Sequence, residues 1–233
     1  MLEVRGVEAS YGLSRVLFGV DLDIGESEVV SLLGRNGMGK TTTVRAIMGM
    51  LCPTAGSVKF RGRTVNGLPA FRVARCGIGL VPEGRQVFPN LTVHENLLSV
   101  SRVPDGMTRL WDIEKVLALF PSLASRRLSM GRNLSGGEQQ MLAIGRALMM
   151  NPRLIVLDEA TEGLAPLIRK QIWACLDALR AQGQSILVID KNLVPLLALA
   201  DRHYILEKGR IVWSGTSGQL QAERDRLSAY LAL

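Results

Sequence analysis

A five-residue apolar run, Val29-Val30-Ser31-Leu32-Leu33, passes directly into Gly34-Arg35-Asn36-Gly37-Met38-Gly39-Lys40-Thr41. A buried strand ending in such a loop leaves few folds open. The pattern G-x-x-x-x-G-K-[ST] is filled at every fixed position, and Thr41 to Met50 reads as a helix with Val44, Ile47 and Met48 on one face. Gly34, Gly37 and Gly39 permit positive φ and close backbone approach. Inward-pointing amides and the positive end of the helix favour a polyphosphate there. In that arrangement Lys40 is expected on the β- and γ-phosphates, and the Thr41 hydroxyl on a Mg2+ ion.

A second apolar run, Leu154 to Leu157, ends in Asp158-Glu159. Acids at the C-terminal end of a parallel strand face the ligand crevice. Asp158 is expected to hold Mg2+ through water, and Glu159 to polarise the attacking water. Between the two strands lies Leu134-Ser135-Gly136-Gly137-Glu138-Gln139-Gln140. Ser135 and Glu138 fit a capping box and by themselves require only a helix start. Gly136 and Gly137 add two bare backbones at that helix end, a nest for an oxyanion. A compact ATP site does not need two phosphate-binding turns, which points to a nucleotide held between two copies of this kind of protein.

Short strands are expected at Leu2 to Val7, Val16 to Ile24, Glu28 to Leu33 and Ser57 to Phe60, and helices at Thr92 to Ser101 and Arg109 to Phe120, separated by Pro104-Asp105-Gly106. A further helix covers Gln140 to Met150, a third buried strand Ser185 to Ile189, a hairpin Tyr204 to Trp213 through Glu207-Lys208-Gly209, and a closing helix Gln219 to Leu233. Strands alternating with helices imply a mainly parallel sheet, with residues 92–130 a helical insert. No apolar run approaches the roughly 18 residues of a membrane span. The three cysteines, Cys52, Cys76 and Cys175, are odd in number and widely spaced, which argues against a disulfide framework and for a reducing cytosol. A net charge of +7, part of it concentrated at 59–85, reads as a solvated basic face. The aromatic interleaving that single-strand nucleic-acid binding needs is missing.

Over essentially its whole length the sequence resembles the ATP-binding subunits of ABC transporters. Gly34 to Thr41 matches the Walker A loop, Leu134 to Gln140 the family signature and Leu154 to Glu159 the Walker B strand. The resemblance implies an α/β fold: a RecA-like P-loop NTPase core with a mainly parallel sheet, an N-terminal antiparallel β portion and an α-helical insert. One nucleotide-binding domain would span 1–233, with core at 1–85 and 152–233 and a helical subdomain at about 86–151. It implies ATP and Mg2+ as ligands. Gly34, Arg35, Asn36, Gly37, Gly39, Lys40, Thr41 and Thr42 would contact ATP, and Tyr11 would stack on adenine or simply end a strand. Thr41, Asp158 and Glu83 would serve Mg2+. Ser135, Gly136, Gly137 and Glu138 would meet the ATP of a head-to-tail partner.

Val81-Pro82-Glu83-Gly84-Arg85, Val87 to Val93 and Glu162-Gly163-Leu164-Ala165-Pro166 look like one ATPase subunit of branched-chain amino-acid importers; urea and amide importers use similar subunits. That implies two permease chains, a second ATPase subunit or a second copy, an extracytoplasmic solute-binding protein and no nucleic acid. The expected location is cytoplasmic, on the inner face of the plasma membrane. Glu83 replaces the glutamine usual in the superfamily and loses its amide donor. Lys191, in Val188 to Asn192, occupies the place of a histidine that contacts the γ-phosphate. Two readings stand: a cationic clamp on that phosphate, or a lysine pointing to solvent. Phe88, Leu91, Val93 and Leu97 either line a groove for a permease helix or pack the insert's own core.

Overall fold

A computed structural model describes residues 1–103 and 109–231. Strands β1 (Leu2–Tyr11), β2 (Ser14–Ile24), β4 (Ala55–Phe60) and β5 (Arg63–Thr64) form an antiparallel sheet in the order β2-β1-β4-β5. A second sheet runs β10-β9-β3-β8-β7-β6, built from β3 (Val29–Leu33), β6 (Ile78–Val81), β7 (Leu154–Asp158), β8 (Ser185–Ile189), β9 (Arg202–Glu207) and β10 (Arg210–Thr216). All its pairings are parallel except the β9–β10 hairpin. That hairpin turns on Lys208 and Gly209, both at positive φ.

The central strands are apolar at nearly every position because both of their faces are covered. Val30 and Leu32 of β3, Val156 of β7 and Leu187 of β8 pack with Ile47 and the inner face of the antiparallel sheet. Their alternating neighbours Val29, Leu33, Ile155, Leu157 and Val188 pack under a helical layer containing Leu97, Leu142, Ile172 and Leu196. That layer includes α3 (Val93–Leu98), α4 (Ile113–Leu119), α5 (Pro121–Ala124), α6 (Gly136–Met149), α7 (Pro166–Ala181) and α8 (Leu193–Leu199).

Several expected boundaries move, each for a local reason. The helix after the phosphate loop, α1 (Lys40–Ile47), ends early because Gly49 turns left-handed at φ 68. Helix α4 starts four residues after Arg109, where the Asp112 carboxylate accepts the Lys115 amide at 2.9 Å, and it stops before Pro121. The signature helix α6 begins four residues before Gln140, since both halves of the Ser135–Glu138 capping box are made. The closing helix breaks into α9 (Ser217–Ala222) and α10 (Arg224–Leu227). The expected separator at Pro104 to Gly106 and residues 232–233 lie outside the described residues. Helices α2 (Ala70–Arg75), α5, α7 and α8 and strands β5 and β6 have no counterpart among the expected elements.

Two buried polar side chains tie separate segments together, Asn96 a loop and His203 the elements around β9. Asn96 of α3 accepts the Phe88 amide and donates to the carbonyls of Phe88, Leu91 and Thr92, closing the loop that follows Glu83. Its replacement by alanine removes four hydrogen bonds, leaves the Phe88 amide without its acceptor and empties a fully buried site, at an expected cost of roughly 3 kcal/mol. A thermal melt of Asn96→Ala should show a midpoint lower on the order of 8 °C. His203 of β9 lies between Ser31 Oγ (2.6 Å) and Ser217 Oγ (2.8 Å). Ser217 donates its hydrogen to Ala200 O, so Nε2 carries the imidazole proton and Nδ1 accepts from Ser31. Burial lowers this pKa from 6.5 to about 4. The unfolded chain therefore binds a proton that the folded chain refuses between those values, and stability falls as pH drops through that window. Urea titrations of His203→Gln and the parent at pH 7, 6 and 5 should differ in slope by at most about 1.4 kcal/mol per pH unit.

Candidate nucleotide site

The phosphate loop leaves β3 and enters α1 as the sequence requires. Gly34 sits at φ 142 against the Leu206 carbonyl, where no side chain fits, and Gly39 caps α1 at φ 107. Lys40 is 8% exposed; its Nζ donates to the carbonyls of Gly34 (2.9 Å) and Arg35 (3.1 Å), bending the loop around the ammonium. Glu159 Oε1 stands 3.9 Å from Nζ. Burial lowers the Lys40 pKa, and the Glu159 and Asp158 carboxylates offset part of that shift.

Above the loop opens a cavity of about 400 Å³ lined by Asn36, Gly37, Gly39, Lys40, Thr41, Thr42, Val16, Glu83, Glu159 and Glu162. Asp158, 3% exposed at the end of β7, carries an Oδ1 with no hydrogen-bond partner. Burial raises its pKa, while the Thr41 hydroxyl beside it acts in the opposite direction. A buried carboxylate oxygen left open next to a threonine hydroxyl suits a hard cation such as Mg2+. Among the described residues no cluster of three or more acidic, His or Cys side chains forms, so nucleotide oxygens and water would complete the shell.

Glu159 occupies a left-handed turn (φ 51), its amide donating to Ile189 O of β8. Its pKa is pushed up to about 7, first by a hydrogen bond with the Glu162 side chain, then by burial and the charge of Glu162. Glu162 was not expected at the site; its signal was its spacing, three residues after Glu159 within one turn. Lys191 forms an ion pair with Glu162, and its side chain is 44% exposed. It does not line the cavity. Asp190 ties the two loops together: Oδ2 accepts from the Thr161 amide and hydroxyl, and Oδ1 from the Asn192 amide and side chain.

The other expected residues lie elsewhere. Ser135, Gly136, Gly137 and Glu138 sit at the start of α6, outside the cavity. Ser135 N donates to Glu138 Oε2 at 2.7 Å, and the Arg85 guanidinium packs over Gly136. Tyr11 ends β1 half-exposed, its hydroxyl accepting from Arg45 Nη1 at 3.1 Å, and it does not line the cavity either. Val93 and Leu97 are fully buried in the core and face no groove. Phe88 is exposed beneath the Arg146 guanidinium, 4.2 Å from the ring centre. The apolar groove on this side is a different one, of about 310 Å³, lined among others by Met48, Met50, Phe71, Ala74 and Leu80. Only the folded chain brings the segment after α1 together with α2, β6 and α6 to make it. Among the described residues no helix is long and apolar enough to cross a membrane.

Residues 17–162 match the ABC transporter family. The chain is 41% identical over 231 residues to the high-affinity branched-chain amino acid transport ATP-binding protein BraG of Pseudomonas aeruginosa, covering 99% of each. It is 33% identical to the lipopolysaccharide export ATP-binding protein LptB of Haemophilus influenzae, covering 99% of this chain and 97% of that one. Among solved structures it resembles the dimeric, post-hydrolysis ATP-binding cassette MJ0796 bound to ADP and Pi. There the TM-score is 0.80 at 25% identity, over 93% of this chain and 99% of the other. The family match over residues 17–162 and the identity along the whole chain place it in the ABC transporter family as one of its ATP-hydrolysing subunits.

Proposed function

We propose that this chain powers a membrane importer of branched-chain or other hydrophobic amino acids, working in a head-to-tail pair with a second copy or a second ATPase subunit. The observation that carries the pairing is the separation of the two anion-binding turns. The Ser135 to Glu138 turn lies outside the cavity that Lys40 lines, so in this reading it needs the nucleotide of another chain. The cassette MJ0796, of like fold, is a dimer bound to ADP and Pi. Support for the solute class is the 41% identity to BraG, against 33% to LptB. Urea or amide import is the alternative within the same group of subunits, and lipopolysaccharide export the alternative that the LptB identity favours.

In this reading the amides of Gly37 and Gly39 and the ammonium of Lys40 hold the β- and γ-phosphates, with Arg35, Asn36 and Thr42 completing the loop. Tyr11 stacks on adenine once Arg45 releases its hydroxyl. Thr41 and Asp158, with Glu83 across the cavity, would hold Mg2+, which when bound neutralises phosphate charge. Glu159 accepts the proton of the attacking water as its oxygen adds to the γ-phosphorus. The β,γ P–O bond breaks, leaving ADP and inorganic phosphate. A carboxylate with a pKa of about 7 is suited to take that proton near neutrality. Ser135 and Gly137 complete the γ-phosphate contacts of the partner's nucleotide, and pairing moves the permeases through helices seated in the groove at Met50 and Phe71. Such a subunit works at the inner face of the plasma membrane.

The test is purification of the tagged chain from gently solubilised membranes of its own cell, followed by reconstitution of whatever accompanies it. Two multi-helix permeases, a second cassette ATPase and ATP-driven leucine uptake into vesicles are expected. Uptake of urea alone, or recovery of lipopolysaccharide-handling partners, would replace the amino-acid reading. Recovery with no membrane protein would overturn the transporter role.

A further inference from the structure

We propose that Glu162 is a positioning residue for hydrolysis, and that Lys191 acts through Glu162 on Glu159 instead of gripping the γ-phosphate. The inference rests on the reading above that Glu159 polarises the attacking water.

Three observations place these side chains in one device. Lys191 Nζ pairs with Glu162 Oε1, and Glu162, unlike Lys191, lines the phosphate cavity. The two loops that carry them are held as a unit. Asp190 takes hydrogen bonds from Thr161 on one side and Asn192 on the other, and the Asn192 side chain also donates to Thr161 Oγ1 at 3.0 Å. The Glu162 amide donates to Glu159 O at 3.2 Å, and the Glu159 amide to Ile189 O at 2.9 Å, so the left-handed turn at Glu159 is bound to the same unit. Glu162 therefore shares one turn with Glu159 and carries the Lys191 ammonium on its carboxylate.

The chemistry follows from charge. Two carboxylates in one turn repel, and a cation on the outer one makes their proximity tolerable. With Lys191 neutralising Glu162, Glu159 can sit close to it and be held at a fixed angle to the phosphate site. Removing the ammonium leaves Glu162 to push Glu159 away. The Lys191–Glu162 pair is well exposed and contributes little to folding, so its effect belongs in turnover.

The experiment is steady-state MgATP hydrolysis by the paired, full-length protein carrying Lys191→Ala, Glu162→Gln, both together, and the charge-exchanged pair Lys191→Glu with Glu162→Lys. Each single change should lower kcat roughly tenfold, a fraction of the 10²–10⁴ that a positioned base supplies. KM should stay within about twofold, because the ground-state phosphate contacts are untouched. The double variant should be no slower than either single one, and the exchanged pair should recover part of the loss. Additive losses, or a Lys191→Ala variant with raised KM beside a normal Glu162→Gln, would overturn the proposal and return Lys191 to the phosphate. Glu159→Gln run in parallel separates the two levels: wild-type turnover there sinks the underlying reading, whereas loss there with unaffected Glu162 and Lys191 variants sinks only this inference.

Discussion

Glu159→Gln should bind MgATP with near-parental affinity and lose at least about 100-fold in turnover, since a positioned base contributes 10²–10⁴. The amide keeps the size and one acceptor of the carboxylate but cannot take a proton. The 3.9 Å approach of Glu159 to Lys40 is replaced by a neutral contact, which leaves Lys40 free for phosphate and its two carbonyl bonds intact. Pairing driven by ATP should then persist, and size-exclusion chromatography with MgATP should show a long-lived dimer. In the parent, kcat/KM should fall as pH drops through about 7, because the free protein's Glu159 is then protonated and cannot accept from water. Glu159→Gln should have no such limb. Parental turnover in the variant would remove Glu159 from the chemistry.

The second large effect concerns the signature turn. Gly137 packs against Ile168, where an added Cβ would stand 2.8 Å from Cγ2. Gly137→Asp adds bulk and negative charge where a partner's phosphate is expected, while Lys40, Thr41 and Asp158 stay as they are. Fluorescent-nucleotide binding to the single chain should survive and turnover should fall about 100-fold, as for loss of phosphate-stabilising donors. Lys40→Ala should fail at both. The informative sample is a mixture of the two inactive variants. In a head-to-tail pair each mixed dimer has one composite site with an intact Lys40 and an intact Gly137. If a single site turns over by itself, an equal mixture recovers about a quarter of parental activity. No recovery would mean that both turns serve the same chain or that two intact sites are needed; a chain linked in tandem with one good site separates these.

Much of this site is legible in the amino-acid sequence. The order strand, Gly34 to Thr41, helix is local, and its geometry follows from glycine φ freedom and backbone amides within a dozen residues. The apolar runs at Val29, Leu154 and Ser185 gave three central strands because burial on both faces removes polar alternation. The Ser135–Glu138 capping box is an i to i+3 relation and formed as spaced. Helix ends were less legible, since Gly49, Asp112 and Pro121 act through single turns that a pattern of apolar residues does not register.

The sequence alone determined the two glycine-bearing turns, the strand-end acids and the apolar central strands, because each depends on neighbours in the chain. Only the tertiary structure decided what those groups face. Glu162 and Lys191 are 29 residues apart and meet because β7 and β8 are adjacent parallel strands whose ends are joined by Asp190. Phe71, not Leu97, borders the apolar groove because α2 packs beside β6 at the surface while α3 is drawn inward under α6. Asp158 acquires its open oxygen through burial, a property of the packed layers that no run of letters carries.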